Sequence, residues 1–301
     1  MEMNSLTRLA YDQRAELEAE WRSFAAEAER LTTSCAAGEM VWHRWNAGAP
    51  STVVLFHGGS GSWAHWLKNI NMLLADHEVL VPDLPGLGDS DMPPADSSAA
   101  DTAAIVSSGL RELNAVSFHL IGFSWGACLA SIVAAAMQEN ICSLLLVGVA
   151  AVGDLGHRAA MKPLLKRSRD MTEIEIWEVN RENLSRLMFC DADNIDPMSI
   201  YLQVIHTNRS RFDSPQFARS RLTLDHLAML ENIPVGVIYG DHDAPAFPNF
   251  AVRQEKLEAA CPGLEFHLVA GGGHWLQYEK SEWFNTFCLK WLARSSRSSA
   301  R

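Results

Sequence analysis

Between residues 118 and 137 an apolar run, Phe118-His-Leu-Ile121, meets Gly122-Phe-Ser-Trp-Gly126 and passes at once into Ala127-Cys-Leu-Ala-Ser-Ile-Val-Ala-Ala-Ala-Met137. The first stretch has the length of a buried strand and the last the small-residue composition of a packed helix, so the chain must turn sharply in between. A turn that tight brings backbones too close for a Cβ at either glycine. It lifts Ser124 to the top of a sheet, beside the positive end of a helix. A bare G-x-S-x-G is common by chance. Its weight comes from the strand–turn–helix setting, and from whether the rest of the chain supplies what a serine hydroxyl needs.

The chain around that turn alternates strands and helices. Residues 39–45 alternate in polarity and, across a turn at Asn46-Ala-Gly-Ala-Pro50, are expected to form a hairpin with the apolar run 52–56. Further strands are expected at 78–82, 143–147, 235–239 and 264–269, with helices at 66–74, 101–114 and 282–292. Strands separated by helices imply a mainly parallel central sheet covered on both faces. Residues 5–31 carry apolar side chains at a helical period, either packed on their own domain or reaching a second subunit or the site entrance. From about Val152 to Leu230 no strand-like run appears, and helical patterns are expected at 161–169, 173–188 and 197–208. The organisation read from this is a helical extension (1–34), a core in two parts (35–151 and 231–301) and an inserted helical lid (152–230), with a frayed tail from Ser295.

Bulk properties narrow the function. A net charge of −11 argues against nucleic acid or an anionic membrane as partner. No run approaches the roughly 18 apolar residues of a membrane span, and the first residues lack a signal-peptide pattern. The six cysteines are far apart, with no C-x-x-C and no Cys/His cluster. They read as reduced, mostly buried residues of a cytoplasmic protein without structural zinc. No metal or organic cofactor is expected, the partner is a small-molecule substrate, and a homodimer is compatible with the pattern.

A serine hydroxyl needs an imidazole base, and the imidazole needs a carboxylate to orient it. In an open α/β sheet such groups sit on loops at the carboxyl ends of strands. Gly240-Asp-His-Asp-Ala244 follows the strand at 235–239. There Asp243 is preferred over Asp241, which sits where a turn aspartate bonds its own backbone; Asp154 is a lesser rival. The base is read as His274, presented by Ala270-Gly-Gly-Gly-His274 after the strand at 264–269. The other histidines, among them His57, His65, His157, His206, His242 and His267, fit no such role. Two backbone N–H groups must face the developing oxyanion. Trp125 supplies one, and the loop His57-Gly-Gly-Ser-Gly61 the other, from Gly59 first and Ser60 next. That loop lacks the lysine of a phosphate-binding P-loop.

In this order the motifs His57-Gly-Gly-Ser-Gly61, Asp83-Leu-Pro-Gly-Leu-Gly-Asp-Ser90, Gly122-Phe-Ser-Trp-Gly126, Gly240-Asp-His-Asp243 and Gly273-His274 resemble those of the α/β-hydrolase superfamily over residues 39–292. The resemblance implies Ser124 as nucleophile, His274 as base and Asp243 as acid. Gly273-His-Trp-Leu-Gln-Tyr-Glu279 is similar to the histidine segment of meta-cleavage product hydrolases, which cut a carbon–carbon bond in aromatic breakdown products. Where their lid carries a substrate-binding arginine, this chain aligns Gln203, and the nearest arginines are Arg209 and Arg211. An acidic substrate would then lean on those two or on Arg44. The expectation is a serine esterase acting on an apolar or aromatic carboxylic ester, with Ser60, Phe123 and Trp275 in the substrate pocket. Trp63 and Trp66 also flank the motifs, Trp66 as core. The alternatives are a C–C bond hydrolase and a non-catalytic small-ligand-binding member.

Overall fold

The computed structural model describes residues 4–155 and 161–298. In chain order the elements are α1 (Ser5–Asp12), α2 (Arg14–Ala26), β1 (Glu29–Cys35), β2 (Gly38–Trp45), β3 (Ser51–Phe56), α3 (Ile70–Leu73), β4 (His77–Pro82), α4 (Ala99–Glu112), β5 (Phe118–Phe123), α5 (Trp125–Ala136) and β6 (Ile141–Val147). There follow α6 (Glu173–Asn183), α7 (Pro197–Arg209), α8 (Leu222–Leu227), β7 (Val235–Gly240), α9 (Phe250–Ala260), β8 (Glu265–Val269), α10 (Leu276–Glu279) and α11 (Ser281–Ser298). The eight strands form one sheet in the order β1-β2-β4-β3-β5-β6-β7-β8, with β1–β2 and β2–β4 antiparallel and the rest parallel.

The inner parallel strands, unlike the edge strand β8, are buried on both faces, so they read as apolar runs whose alternate residues feed different cores. Val54 and Phe56 of β3 and Leu144 and Leu146 of β6 face the core under α4, α5, α8 and α9. Val53 and Leu55, with Leu145 and Val147, face the core under the remaining helices. After β3 the chain adds β4 on one side, then returns to place β5 on the other. The loops after β3 and β5 therefore meet at a topological switch point, where α/β sheets bind ligands. Among the described residues no helix is long and apolar enough to cross a membrane.

Several expectations change. The helical period read over 5–31 ends at Ala26, and Glu29–Cys35 is a strand. Only Thr33 and Cys35 of that polar strand are buried, too short an alternation to read against the preceding helix. Residues 39–45 do not form a hairpin with 52–56. β4 lies between them, and β2 pairs with β1 and β4 instead. Residues 161–169 are not helical: the Asn183 side chain donates to Leu165 O (3.0 Å) and accepts from Leu165 N (2.8 Å), taking the place of helical bonds. α9 is an element the periodicity did not reveal. α11 runs on to Ser298 through the tail expected to fray, while residues 299–301 and His157 lie outside the described residues.

The segment between β6 and β7 carries α6, α7 and α8. α1 and α2 pack on their own chain against it: Tyr11 Oη donates to Glu173 (2.7 Å), and Asn4 N donates to Glu178 (3.2 Å). Trp21 stacks on Trp63 with ring centroids 6.1 Å apart.

Candidate active site

Ser124 sits between β5 and α5 at φ 53° and ψ −111°, a conformation that costs a non-glycine residue on the order of 1–3 kcal/mol. The turn is closed by Ser124 N donating to Val147 O of β6 at 2.8 Å. A Cβ at residue 122 would lie 2.5 Å from Gly126 O, and one at residue 126 would lie 2.3 Å from His57 O. Both glycines are therefore required by backbone crowding.

His274 stands between Ser124 and Asp243. Its Nδ1–H donates to Asp243 Oδ2 at 2.9 Å, and its Nε2 accepts from Ser124 Oγ at 3.0 Å. The carboxylate thereby selects the tautomer whose free nitrogen faces the hydroxyl. Asp243 is 1% exposed, and its other oxygen accepts from Ala246 N at 3.2 Å. Asp241 Oδ1 instead accepts from Gly271 N (2.8 Å) and contacts the exposed His242, in turn chemistry. Asp154 is exposed. The glycines before His274 serve close packing: a Cβ at residue 273 would lie 2.4 Å from Cys190 N.

The loop after β3 is propped from beneath. His57 Nδ1–H donates to Gly58 O (2.7 Å) while its Nε2 accepts from Leu84 N (2.9 Å). His65 Nδ1 accepts from Gly58 N at 3.2 Å. Burial holds both imidazoles below the usual histidine pKa, His65 well below it, so they serve as neutral struts. A Cβ at Gly59 would meet Ser214 Oγ at 2.1 Å, so a side chain there would have to displace the Ser214 hydroxyl. Trp125 N–H belongs to the first turn of α5, where backbone donors have no intrahelical acceptor. Gly59, Ser60, Phe123, Ser124, Trp125 and His274 all line one cavity of about 440 Å³.

Residues 53–287 match the Alpha/beta hydrolase family. This chain belongs to that family. The 2-hydroxy-6-oxononadienedioate/2-hydroxy-6-oxononatrienedioate hydrolase of Klebsiella pneumoniae is 28% identical over 261 residues, covering 81% of this chain and 88% of its own. Among solved structures, carboxylesterase CesB of Bacillus subtilis superposes with TM-score 0.73 at 20% identity, over 95% of this chain and 96% of that one. A meta-cleavage product hydrolase of Pseudomonas fluorescens gives TM-score 0.71 at 20% identity, over 90% and 99%. At such identities the structural likeness establishes the fold; the family match and the relatives named as hydrolases make this α/β-hydrolase an enzyme of the hydrolase class.

The segment between β6 and β7 lines the α/β-hydrolase cavity with Met161, Leu164, Leu187 and Met188, beside the neutral polar groups of Asn183, Gln203, Thr207 and Ser214. Ser60 is tied to it, accepting from Ser210 Oγ at 3.1 Å. Glu279 binds it to the histidine loop, its carboxylate accepting from Gly273 N (2.7 Å), Cys190 N (3.0 Å) and Asp191 N (3.0 Å).

Trp275, expected in the pocket, is not part of the lining. It is fully buried, its Nε1–H donating to His65 O and its backbone N to Met188 O, because the tight turn that presents His274 sends the next side chain into the core. Trp63 and Trp66 are core as well. The arginines considered from sequence also lie off the cavity: Arg44 pairs with Glu29, Arg209 with Asp89, and Arg211 bonds Ser90 O. The arginine that does line it is Arg253 of α9, which sequence reasoning missed. Its spacing was a signal: it stands four residues before buried Leu257, on the helix face turned to the core.

Proposed function

We propose that this α/β-hydrolase is a serine esterase for small carboxylic esters with an apolar or aromatic portion. The observation that carries this is the continuous Asp243–His274–Ser124 relay opening on a largely apolar cavity. Ser124 Oγ attacks the ester carbonyl carbon while His274 Nε2 takes its proton. The Gly59 and Trp125 N–H groups receive the oxyanion. Collapse breaks the acyl–oxygen bond, and the alcohol leaves with the proton from His274. Water then adds to the acyl-serine with His274 again as base, releasing the acid and restoring Ser124. The helical insertion acts as the lid, with Phe123 and Ser60 contacting substrate. An ester asks for no anion clamp from that lid, which suits Gln203.

A second reading is supported by the relatives named for dienedioate hydrolysis. In it the same serine attacks a ketone, and the departing carbon takes the proton in place of an alkoxide. The two readings share a first test. A fluorophosphonate should label wild-type protein at Ser124, and Ser124→Ala should abolish labelling and lower kcat by on the order of 10⁶, as found for another serine hydrolase. An alanine variant keeping a tenth of the activity would remove Ser124 from the chemistry. Turnover of phenyl acetate against 2-hydroxy-6-oxononadienedioate then separates the readings. Faster phenyl acetate hydrolysis is expected, and efficient dienedioate cleavage with negligible esterase activity would reverse the order.

A further inference from the structure

Arg253 is a cation in an unusual place. It is 6% exposed, lines the catalytic cavity, and its Nε–H has no hydrogen-bond partner among the described residues. Its remaining contacts are slight: Nη2–H donates to Pro245 O at 3.1 Å, Nη1–H reaches Tyr239 Oη only at 3.5 Å, and the guanidinium carbon lies 5.6 Å from the centroid of the Tyr239 ring. None of the ion pairs formed by arginines among the described residues includes it.

Its neighbours do not neutralise it. Tyr239 donates its hydroxyl to Val149 O at 2.6 Å, and burial pushes its pKa up to about 12, so it stays a neutral phenol. The cavity's one carboxylate among the described residues, Asp243, is committed through both oxygens to His274 and Ala246 N. An unpaired guanidinium in such a site costs several kcal/mol, and an anion arriving in the cavity recovers part of that. Holding the Pro245 carbonyl would need a single N–H donor. A planar guanidinium that gives Pro245 O one N–H keeps further donors, and such a fork suits a carboxylate bound through parallel hydrogen bonds.

We propose that Arg253 binds a carboxylate carried by the substrate, so that the cavity selects acid-bearing carbonyl compounds over their neutral counterparts. The inference deepens the serine-hydrolase reading and rests on it for the site, but not for its test. Two matched substrate pairs place the charge on either side of the scissile bond. They are 4-acetoxybenzoate with its methyl ester, and monophenyl adipate with methyl phenyl adipate. The quantity read is the acid-to-neutral ratio of kcat/KM, in which any loss common to both members cancels.

A charged hydrogen bond is worth about 1.5–3 kcal/mol, and about 1.4 kcal/mol is tenfold. In Arg253→Gln the ratio should therefore fall about 10- to 100-fold for at least one pair, chiefly through KM of the acid, with partial recovery in Arg253→Lys. Ratios unchanged for both pairs would overturn the proposal. A binding arm needs neither turnover nor the Arg253 variants. Calorimetric titration of Ser124→Ala protein should show the acid binding at least tenfold more tightly than its neutral partner in at least one pair. Equal affinities in both would also overturn it. Failure of the nucleophile reading would show separately, as phenyl acetate turnover insensitive to Ser124→Ala.

Discussion

Two aspartates only two positions apart illustrate how much a small step along the chain decides. Asp241 and Asp243 share one loop, yet only Asp243 reaches the imidazole, while Asp241 ties the loop to Gly271 N. Asparagine at 243 would offer an N–H₂ group to Nδ1 and favour the wrong tautomer. Asp243→Asn is expected to lower kcat by about 10³–10⁴, the scale known for a serine protease triad. Asp241→Asn should stay within tenfold of wild type while losing some stability. Steady-state kinetics on phenyl acetate check this, and equal losses at both positions would remove Asp243 from its role.

At the scale of elements, what stands out is how the insertion is fastened. Glu279 grips one end, and α7 docks through His206, whose Nε2 contacts Ser62 Oγ at 2.8 Å in full burial. Burial, with the nearby His57, depresses the His206 pKa from its ordinary 6.5 to about 3. Between those values the unfolded chain binds a proton that the folded chain does not, so stability is complete above about pH 6.5 and declines as pH falls. Replacing the imidazole removes that proton uptake. The drop in urea midpoint from pH 7 to pH 5 should therefore be smaller in His206→Gln than in wild type. An unchanged drop would mean that other groups carry the acid sensitivity.

Over the whole molecule, one indole joins three regions. Trp21 of α2 stacks on Trp63 beside the loop that follows β3, lies 6.4 Å from Tyr201 of α7, and has the Arg209 guanidinium 5.5 Å from its ring centroid. Truncating a buried aromatic of this kind costs about 3–5 kcal/mol. Trp21→Ala should lower the unfolding free energy by that amount in urea titrations. A loss under about 1 kcal/mol would show that the N-terminal helices contribute little to holding the insertion in place.

The local chemistry of the site was legible in the chain. Ser124, Asp243, His274 and the glycines at 58 and 59 each lie within five residues of the end of a strand. Short-range sterics there admit few residue types, so identity and spacing suffice. The inner parallel strands were equally plain, because burial on both faces leaves an apolar run. Tertiary structure alone decided what depends on a distant neighbour. β4 slid between β2 and β3, Asn183 unwound the segment around Leu165, Trp275 went into the core, and Arg253 came into the cavity. A side chain's surroundings are set by whichever elements pack around it. Arg253 of α9 meets Tyr239 of β7 and Pro245 of the loop that follows, and it shares the cavity with Met161, Leu187 and Gln203, which stand 50 or more residues earlier in the chain.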